Sequence, residues 1–501
     1  MTKYLYGAAV QGIQDFIFQT NKLREIVGAS ELVEEICTKK FYEILSGEDV
    51  STQVAQERLS KDDNAILHAA GNVKYIFTDN DSCKKVVERM PMEIQKFAPG
   101  ITFSQAVVKM EGEYEDYSKA SDELEFRLKI QRNRPMRSQT LGLMGIKRSQ
   151  KSGLPLVDFD LDIVREKTKR FDEDDITLQL CKKAFGDKYY ISNKVICRNI
   201  EQMTQYNDWI AIIHCDGNGL GSVVQSICKD EQLSKKFSEK LDKATIESAQ
   251  IAFDTIASKT DIDGKYKFFN PKKFIPIRPI VLSGDDFTVI CRADFALEYI
   301  SVFIENFQEK TSFISDYNIG MERLTACAGI AFVKSSFPFY YGYSLSEELC
   351  KTAKSDTKDK FDSQSCLMFH KVQDTFTEDY EDIVERELKP CKDVSFKFGP
   401  YYLEKQEGRW SIDYLLEMAE KLDSKEGNAV KSHLRQWMSI LHEEGWDVAE
   451  QKLKRLKSIT SMKDYVNTVS DKLHDNAYPV YDILAIHSIN TQVTKEVNDE
   501  H

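Results

Sequence analysis

The sequence predicts an α+β protein: two successive antiparallel sheets backed by helices, followed by a helical bundle. Two observations carry this. Apolar runs that reverse through a small-residue turn occur in both halves of the chain, each flanked by stripes of helical period. Beyond about Val372 only helical stripes remain.

The clearest run, Val281 to Ile290, reads as a β-hairpin with Ser283-Gly284-Asp285-Asp286 at its tip. Gly284 supplies the backbone angles of the turn and leaves room beside it for a ligand. Adjacent aspartates on a strand point to opposite faces, so only one aims squarely at a shared site. Neighbouring carboxylates repel unless a cation or hydrogen-bond donors offset them. Taken alone, the stretch also reads as a solvated Gly-Asp turn. Upstream, Trp209 to Asp216 is an apolar run ending in an acid, and Gly217-Asn218-Gly219-Leu220-Gly221 follows at once. A buried strand ending in Asp and turning through glycines into a helix sets a carboxylate beside free backbone N–H groups. The carboxylate suits a hard cation and the N–H groups suit a phosphate.

The elements between and after these pieces fall in order. A helix is expected from about Gln232 to Ala257. Ala296, Tyr299, Ile300, Phe303, Ile304 and Phe307 form an apolar helical stripe. Leu324 to Val333 reads as a strand, and a helix is expected to open at the capping box Ser344-x-x-Glu347 and reach Ala353-Lys354.

Residues 209–370 resemble the palm domain shared by GGDEF cyclases, class III nucleotide cyclases and the large polymerase-like subunit of type III CRISPR effector complexes. The Gly-Gly-Asp-Asp signature of that subunit stands here as Ser283-Gly284-Asp285-Asp286. The resemblance implies a ferredoxin-like palm with Asp216, Asp285 and Asp286 as catalytic carboxylates holding two divalent ions, Mg²⁺ or Mn²⁺. It implies nucleotide contacts from Gly217, Asn218, Gly219, Leu220, Gly221, Ser283, Gly284 and Lys354, the last meeting a triphosphate.

The start of the chain resembles the first palm of the same subunit. Tyr4 to Val10 reads as a strand, Gly12-Ile13-Gln14-Asp15-Phe16-Ile17 turns into a helix, and Leu23-Arg24 and Ala29-Ser30 follow. Overlaying the halves places Ala69-Ala70-Gly71-Asn72 on Ser283-Gly284-Asp285-Asp286 and Ala9 on Asp216, so the first copy lacks every metal-binding carboxylate. That copy reads either as a second nucleotide-binding surface or as packing surface. The expected division is a degenerate palm over 1–130, a connector over 131–207, a catalytic palm over 208–371 and a helical domain over 372–501.

The implied function is a nucleotidyltransferase that converts ATP into a cyclic oligoadenylate second messenger, releasing pyrophosphate, in antiviral defence. The alternative is a catalytically silent palm scaffold that binds nucleotide or RNA among CRISPR-complex subunits. The three acids of the second copy favour the enzyme. ATP is the expected partner, with RNA or CRISPR-complex subunits beside it, and one chain is expected to suffice for a composite site between the two palms.

In the connector, Arg132, Arg134, Arg137, Lys147, Arg148 and Lys151 form a basic run of the kind usual in solvated loops. The family often carries a cysteine zinc ribbon here. Residues 131–180 hold no cysteine, so no zinc is expected. Asp158 to Asp175 is expected at the surface. In the last segment, Ser411 is a candidate N-cap before Leu415, Met418, Ala419 and Leu422, and Val430, Leu434, Trp437, Met438 and Leu441 make a second stripe, with Gly427 and Gly445 between helices. His474-Asp475 is expected to be structural, because the family's HD nuclease precedes the first palm and no such domain is expected here.

Composition sets the limits. The chain has 501 residues, 42% hydrophobic and 30% charged, enough for several buried cores. A net charge of −13 argues against a surface coated for nonspecific nucleic-acid binding. Neither an apolar run of membrane-spanning length nor a signal-peptide pattern is present. Eleven cysteines without a CxxC pair fit reduced thiols in a cytoplasm.

Overall fold

The structure is a computed structural model, and it describes residues 2–18, 20–69, 71–133, 145, 147, 163–172, 174–189, 191, 194–204, 209–227, 230–258, 274–357, 364–373, 379–392, 394–472 and 477–496. Arg134, Arg137, Arg148, Lys151 and the His474-Asp475 doublet lie outside these residues.

Two sheets organise the chain. Strands β1 (Lys3–Gln11), β2 (Ala65–Ala69), β3 (Asn72–Phe77) and β4 (Thr102–Met110) form a four-stranded antiparallel sheet in the order β2-β3-β1-β4. The second sheet repeats that order as β6-β7-β5-β8, with β5 (Trp209–Gly217), β6 (Ile277–Ser283), β7 (Asp286–Arg292) and β8 (Ala326–Lys334). It is extended by β9 (Cys366–Lys371), parallel to β8, and by β10 (Tyr401–Tyr402).

The registers match as the sequence overlay expects. Ala69 pairs with Asn72 as Ser283 pairs with Asp286. Ala9 pairs with Asn72, and Cys215 with Phe287, which sets Asp216 level with Asp286. Thus Ala9 and Asp216 hold equivalent places on their sheets.

The helices follow from the apolar stripes. Glu231–Ser258 and Ala296–Lys310 pack together and cover one face of the second sheet, with the Phe287 and Phe303 rings stacked at 4.3 Å. Phe339–Thr357 covers the other face and packs on β8, β9 and β5. In the first unit, Tyr117–Arg132 buries Leu124 and Leu128 with Leu5, Ile76 and Val108 as a small separate core.

Four expectations are corrected. The helix expected to open at Ser344 begins at Phe339, because Asn21 of the first unit accepts the Phe339 N–H at 2.8 Å and caps it from outside. Within the stretch expected at the surface, Ile163–Asp172 is a helix that buries Lys167. The Lys167 ammonium donates to the Phe16 carbonyl at 2.6 Å and lies over the Phe16 ring. Gly28 admits this packing, since a Cβ there would fall 1.7 Å from the Lys167 carbonyl oxygen. The C-terminal segment is mostly helical, with Ser411 accepting the Tyr414 N–H as expected, yet its Tyr401–Tyr402 adds a strand to the second sheet. Gly427 lies in the first turn of Lys425–Glu443, where Ser424 is the cap, and does not separate helices. Gly445 does separate them.

The two sheet units dock reciprocally. Helix Leu23–Glu35 of the first unit reaches β6, where Ser30 Oγ donates to the Ile280 carbonyl at 2.5 Å. Helix Glu231–Ser258 of the second unit reaches β2, and Lys235 donates to the Asp62 carbonyl at 2.6 Å. Phe18 stacks on Tyr343 at 3.8 Å across the same boundary. One continuous apolar core joins both units and the C-terminal helices.

Candidate active site

Strand β5 is buried along its length until Asp216, whose side chain is 40% exposed at the strand end. The next residue, Gly217, leaves little room for a side chain: a Cβ there would sit 3.0 Å from Asp285 Oδ2. The glycine therefore lets the hairpin tip close onto the end of β5. Gly284 takes a φ of +64°, which turns the hairpin, and its carbonyl accepts Thr245 Oγ1 at 2.5 Å from the helix behind.

Asp216 and Asp285 come together and share a hydrogen bond. Burial, and then the Asp216 charge, raise the Asp285 carboxyl above the usual carboxylate range. Asp286 begins β7 level with Asp216, on the same face of the sheet, and its carboxylate lies toward His214. Its Oδ1 lies 3.6 Å from His214 Nδ1 and is closed off from solvent without a hydrogen-bond partner. Burial, with the charges of Asp216, Asp285 and Glu347, pushes Asp286 up to about 8. His214 cannot supply the missing positive charge, because burial lowers its own pKa.

Lys354, on helix Phe339–Thr357, ion-pairs with Asp216 and donates to the Gly217 carbonyl at 2.8 Å. A cation thus already stands beside the strand-end acid. The Asn218 side-chain amide donates to Thr325 Oγ1 at 3.0 Å and the Gln364 carbonyl at 3.4 Å and so anchors the loop. Gly219 and Gly221 are exposed at the start of helix Leu220–Ile227, and Leu220 is half-buried on its first turn. Ser283 is buried beneath the hairpin tip.

The donor chemistry fits a hard divalent ion: carboxylates gathered at one strand end, two of them with pKa values raised by burial and by neighbouring charges, one oxygen orphaned, and an ammonium at their edge. The convergence is incomplete. Among the described residues, no three Asp, Glu, His or Cys side chains are gathered in a metal-holding group. Asp216 and Asp285 form the pair, and Asp286 would complete it by turning.

A cavity of about 620 Å³ opens between the two units at this point. Ser283 and Asp286 line it from the second unit, and Gly12, Ile13 and Gln14 line it from the first. Lys183 stands in its wall, donating to the Leu282 carbonyl at 3.2 Å and paired with Asp242 at 3.3 Å. Glu31, buried and pushed up to about 8 chiefly by burial, lines the same space. Sequence reasoning missed Lys183, Glu31 and His214. Only Glu31 left a signal, as the acid that follows Ala29-Ser30 on an apolar helix face.

Residues 209–362 match the family model described as Cas10/Cmr2, second palm domain. The chain resembles the palm-domain subunit of type III CRISPR effectors. Asp216, the Ser283–Asp286 tip and Lys354 all fall within this second palm domain. Several solved structures share the fold. A Csm1–Csm4 cassette in complex with cA3 matches with a TM-score of 0.58 at 14% identity, covering 98% of this chain and 69% of the other. The cassette in complex with one ATP matches at 0.56 and 13%, covering 98% and 70%. The Csm1–Csm4 subcomplex of the type III-A CRISPR-Csm interference complex matches at 0.54 and 14%, covering 98% and 70%. No curated protein matches the sequence. Among the described residues, no helix is long and apolar enough to cross a membrane.

Proposed function

We propose that the chain is a metal-dependent nucleotidyltransferase that joins ATP units into a cyclic oligoadenylate, with release of pyrophosphate, as a second messenger in antiviral defence. The observation that carries this reading is the cavity between the two units, with Ser283 and Asp286 of the hairpin on one wall and the Gly12–Gln14 loop on the other. In this reading the units are tandem ferredoxin-like palms, the first degenerate, with the divisions drawn from sequence.

Asp216 and Asp285, with Asp286, would hold two Mg²⁺ or Mn²⁺ ions, which supply charge stabilisation to an in-line phosphoryl transfer. The protein's own residues then have separate tasks. The exposed N–H groups of Gly219 and Gly221 face phosphate oxygens. Lys354 releases Asp216 and meets the triphosphate. The first palm holds a second nucleotide so that its ribose hydroxyl meets that triphosphate, a positioning effect that makes the step effectively unimolecular. Both nucleotide positions come from one chain. RNA, or a subunit occupying the place of Csm4 in the similar cassettes, would act as regulator or neighbour in a complex.

The test is incubation of the purified protein with each labelled nucleoside triphosphate and Mg²⁺ or Mn²⁺, with products identified by mass spectrometry. ATP is expected to give pyrophosphate and a cyclic product. Asp285→Ala should lower that rate beyond the ~10–100-fold loss typical of groups that only support a ligand. A fully active Asp285→Ala/Asp286→Ala double variant would contradict the reading. A wild type that binds ATP without turning it over, with or without RNA, would leave the silent scaffold.

A further inference from the structure

The far end of β5 opens into a second and larger cavity, of about 1040 Å³, between the second sheet and the C-terminal helices. Trp209 lies in its wall and Asp216 lies seven residues along the same strand, about 23 Å away at strand rise. The candidate active site does not reach it.

Its floor is cationic. Lys371, at the end of β9, is only 8% exposed, and its ammonium donates to Ser488 Oγ at 2.5 Å and lies 4.3 Å over the Trp209 ring. It pairs with no carboxylate among the described residues, and burial together with the Lys334 and Arg435 charges pushes its pKa down to about 8. Lys334 covers the same indole ring at 4.6 Å. Arg386 and Arg435 line the rim. The carboxylate in the lining, Glu387, is already engaged by Arg386 at 2.9 Å and His370 at 3.6 Å.

A buried ammonium without a counter-charge is unfavourable, and here two further cations, Lys334 and Arg435, act on it. Such an arrangement is stabilised when an anion enters. The volume suits a molecule of nucleotide size, and a recessed lysine with an arginine rim is a chemistry that holds phosphate oxygens.

We propose that this cavity is a binding site for a phosphate group carried by a ligand of nucleotide size, with Lys371 as its central contact and Lys334 and Arg435 closing around it. The site is separate from the hairpin acids and needs no divalent ion. It offers the C-terminal helices a ligand-dependent hold on the sheet, because Lys371 comes from β9 while Ser488 and Arg435 come from those helices.

The experiment is isothermal calorimetry in EDTA with inorganic phosphate, AMP and a short oligoribonucleotide as separate probes. It uses the full chain and an Asp285→Asn/Asp286→Asn variant in which the candidate active site is disabled. Phosphate and AMP are expected to bind both proteins with one equivalent at this site. Lys371→Gln should weaken AMP by about tenfold or more, and Lys371→Arg should retain it. If Lys371→Gln proves poorly folded by thermal melting, Arg435→Glu on the exposed rim is expected to show the same weakening. Unchanged AMP affinity in these variants overturns the proposal. So does binding that disappears in the Asp285→Asn/Asp286→Asn variant, which would put the ligand in the other cavity. Binding of the oligonucleotide without AMP also overturns it, in favour of an extended nucleic-acid surface. Because metal and turnover play no part, the outcome stands whether or not the chain proves to be a cyclase.

Discussion

At Gly217 the backbone of β5 and the carboxylate of Asp285 meet closely: a Cβ would lie 3.0 Å from Asp285 Oδ2. Gly217→Ala should therefore push the hairpin tip off the strand end and separate Asp216 from Asp285. The expected result is a loss of pyrophosphate release of about 10–100-fold, from misplacing groups without removing one. The melting temperature should move little, because the displaced groups lie at a partly exposed tip. An alanine variant with wild-type turnover would mean that the close approach does not matter to the chemistry. The residue scale also shows where the sequence stopped being informative. The adjacency of Asp285 and Asp286 predicted that they would face opposite ways; in the structure Asp285 stands in the turn, close to Gly217, and Asp286 begins β7 beside His214. The company of Asp286, His214 and Tyr343, comes from β5 and a distant helix, which no local pattern could join.

The elements divide along the same line. Both hairpins, their registers and the helix stripes were legible, because strand alternation and helical period are local properties of the chain. What was not legible depended on contacts from elsewhere. The start of helix Phe339–Thr357 is set by Asn21, far away in sequence. The burial of Lys167 depends on the gap left by Gly28, and β10 exists because β9 offers it an edge. Two predictions belong to this scale. Gly28→Ala forces a methyl into the Lys167 backbone, so it should destabilise the chain by about 1–3 kcal/mol or more, read as a lower denaturant midpoint. An unchanged midpoint would mean that helix Ile163–Asp172 does not dock there. The second concerns helix Val480–Glu496, whose buried Asp482 accepts the Tyr401 hydroxyl at 2.7 Å. Burial pushes the Asp482 carboxyl up to about 7, partly opposed by that hydrogen bond. A carboxyl raised in the folded state favours folding while it is protonated, below its unfolded pKa, and that contribution is lost as pH rises through the folded value. Asp482→Asn keeps an acceptor for Tyr401 and never ionises. It should match the wild type near pH 4 and melt higher than the wild type at pH 8. A constant difference across that range would contradict the assignment.

At the scale of the whole molecule, the two sheet units share one strand order and dock through reciprocal helix-to-hairpin contacts, Leu23–Glu35 on β6 and Glu231–Ser258 on β2. That exchange brings the acid-bearing tip of one unit to the Gly12–Gln14 loop of the other and leaves the 620 Å³ cavity between them. The acids stand in only one copy, so the pair is asymmetric, and in the proposed function one wall carries out the chemistry while the other holds a substrate. The central claim is that a single chain supplies both walls. Initial rates of pyrophosphate release over a dilution series, with light scattering at each concentration, test it most directly. The account predicts a specific activity that stays constant as the protein is diluted, whatever its state of association. A specific activity that falls in step with the dissociation of a dimer would place the competent site between chains and contradict it.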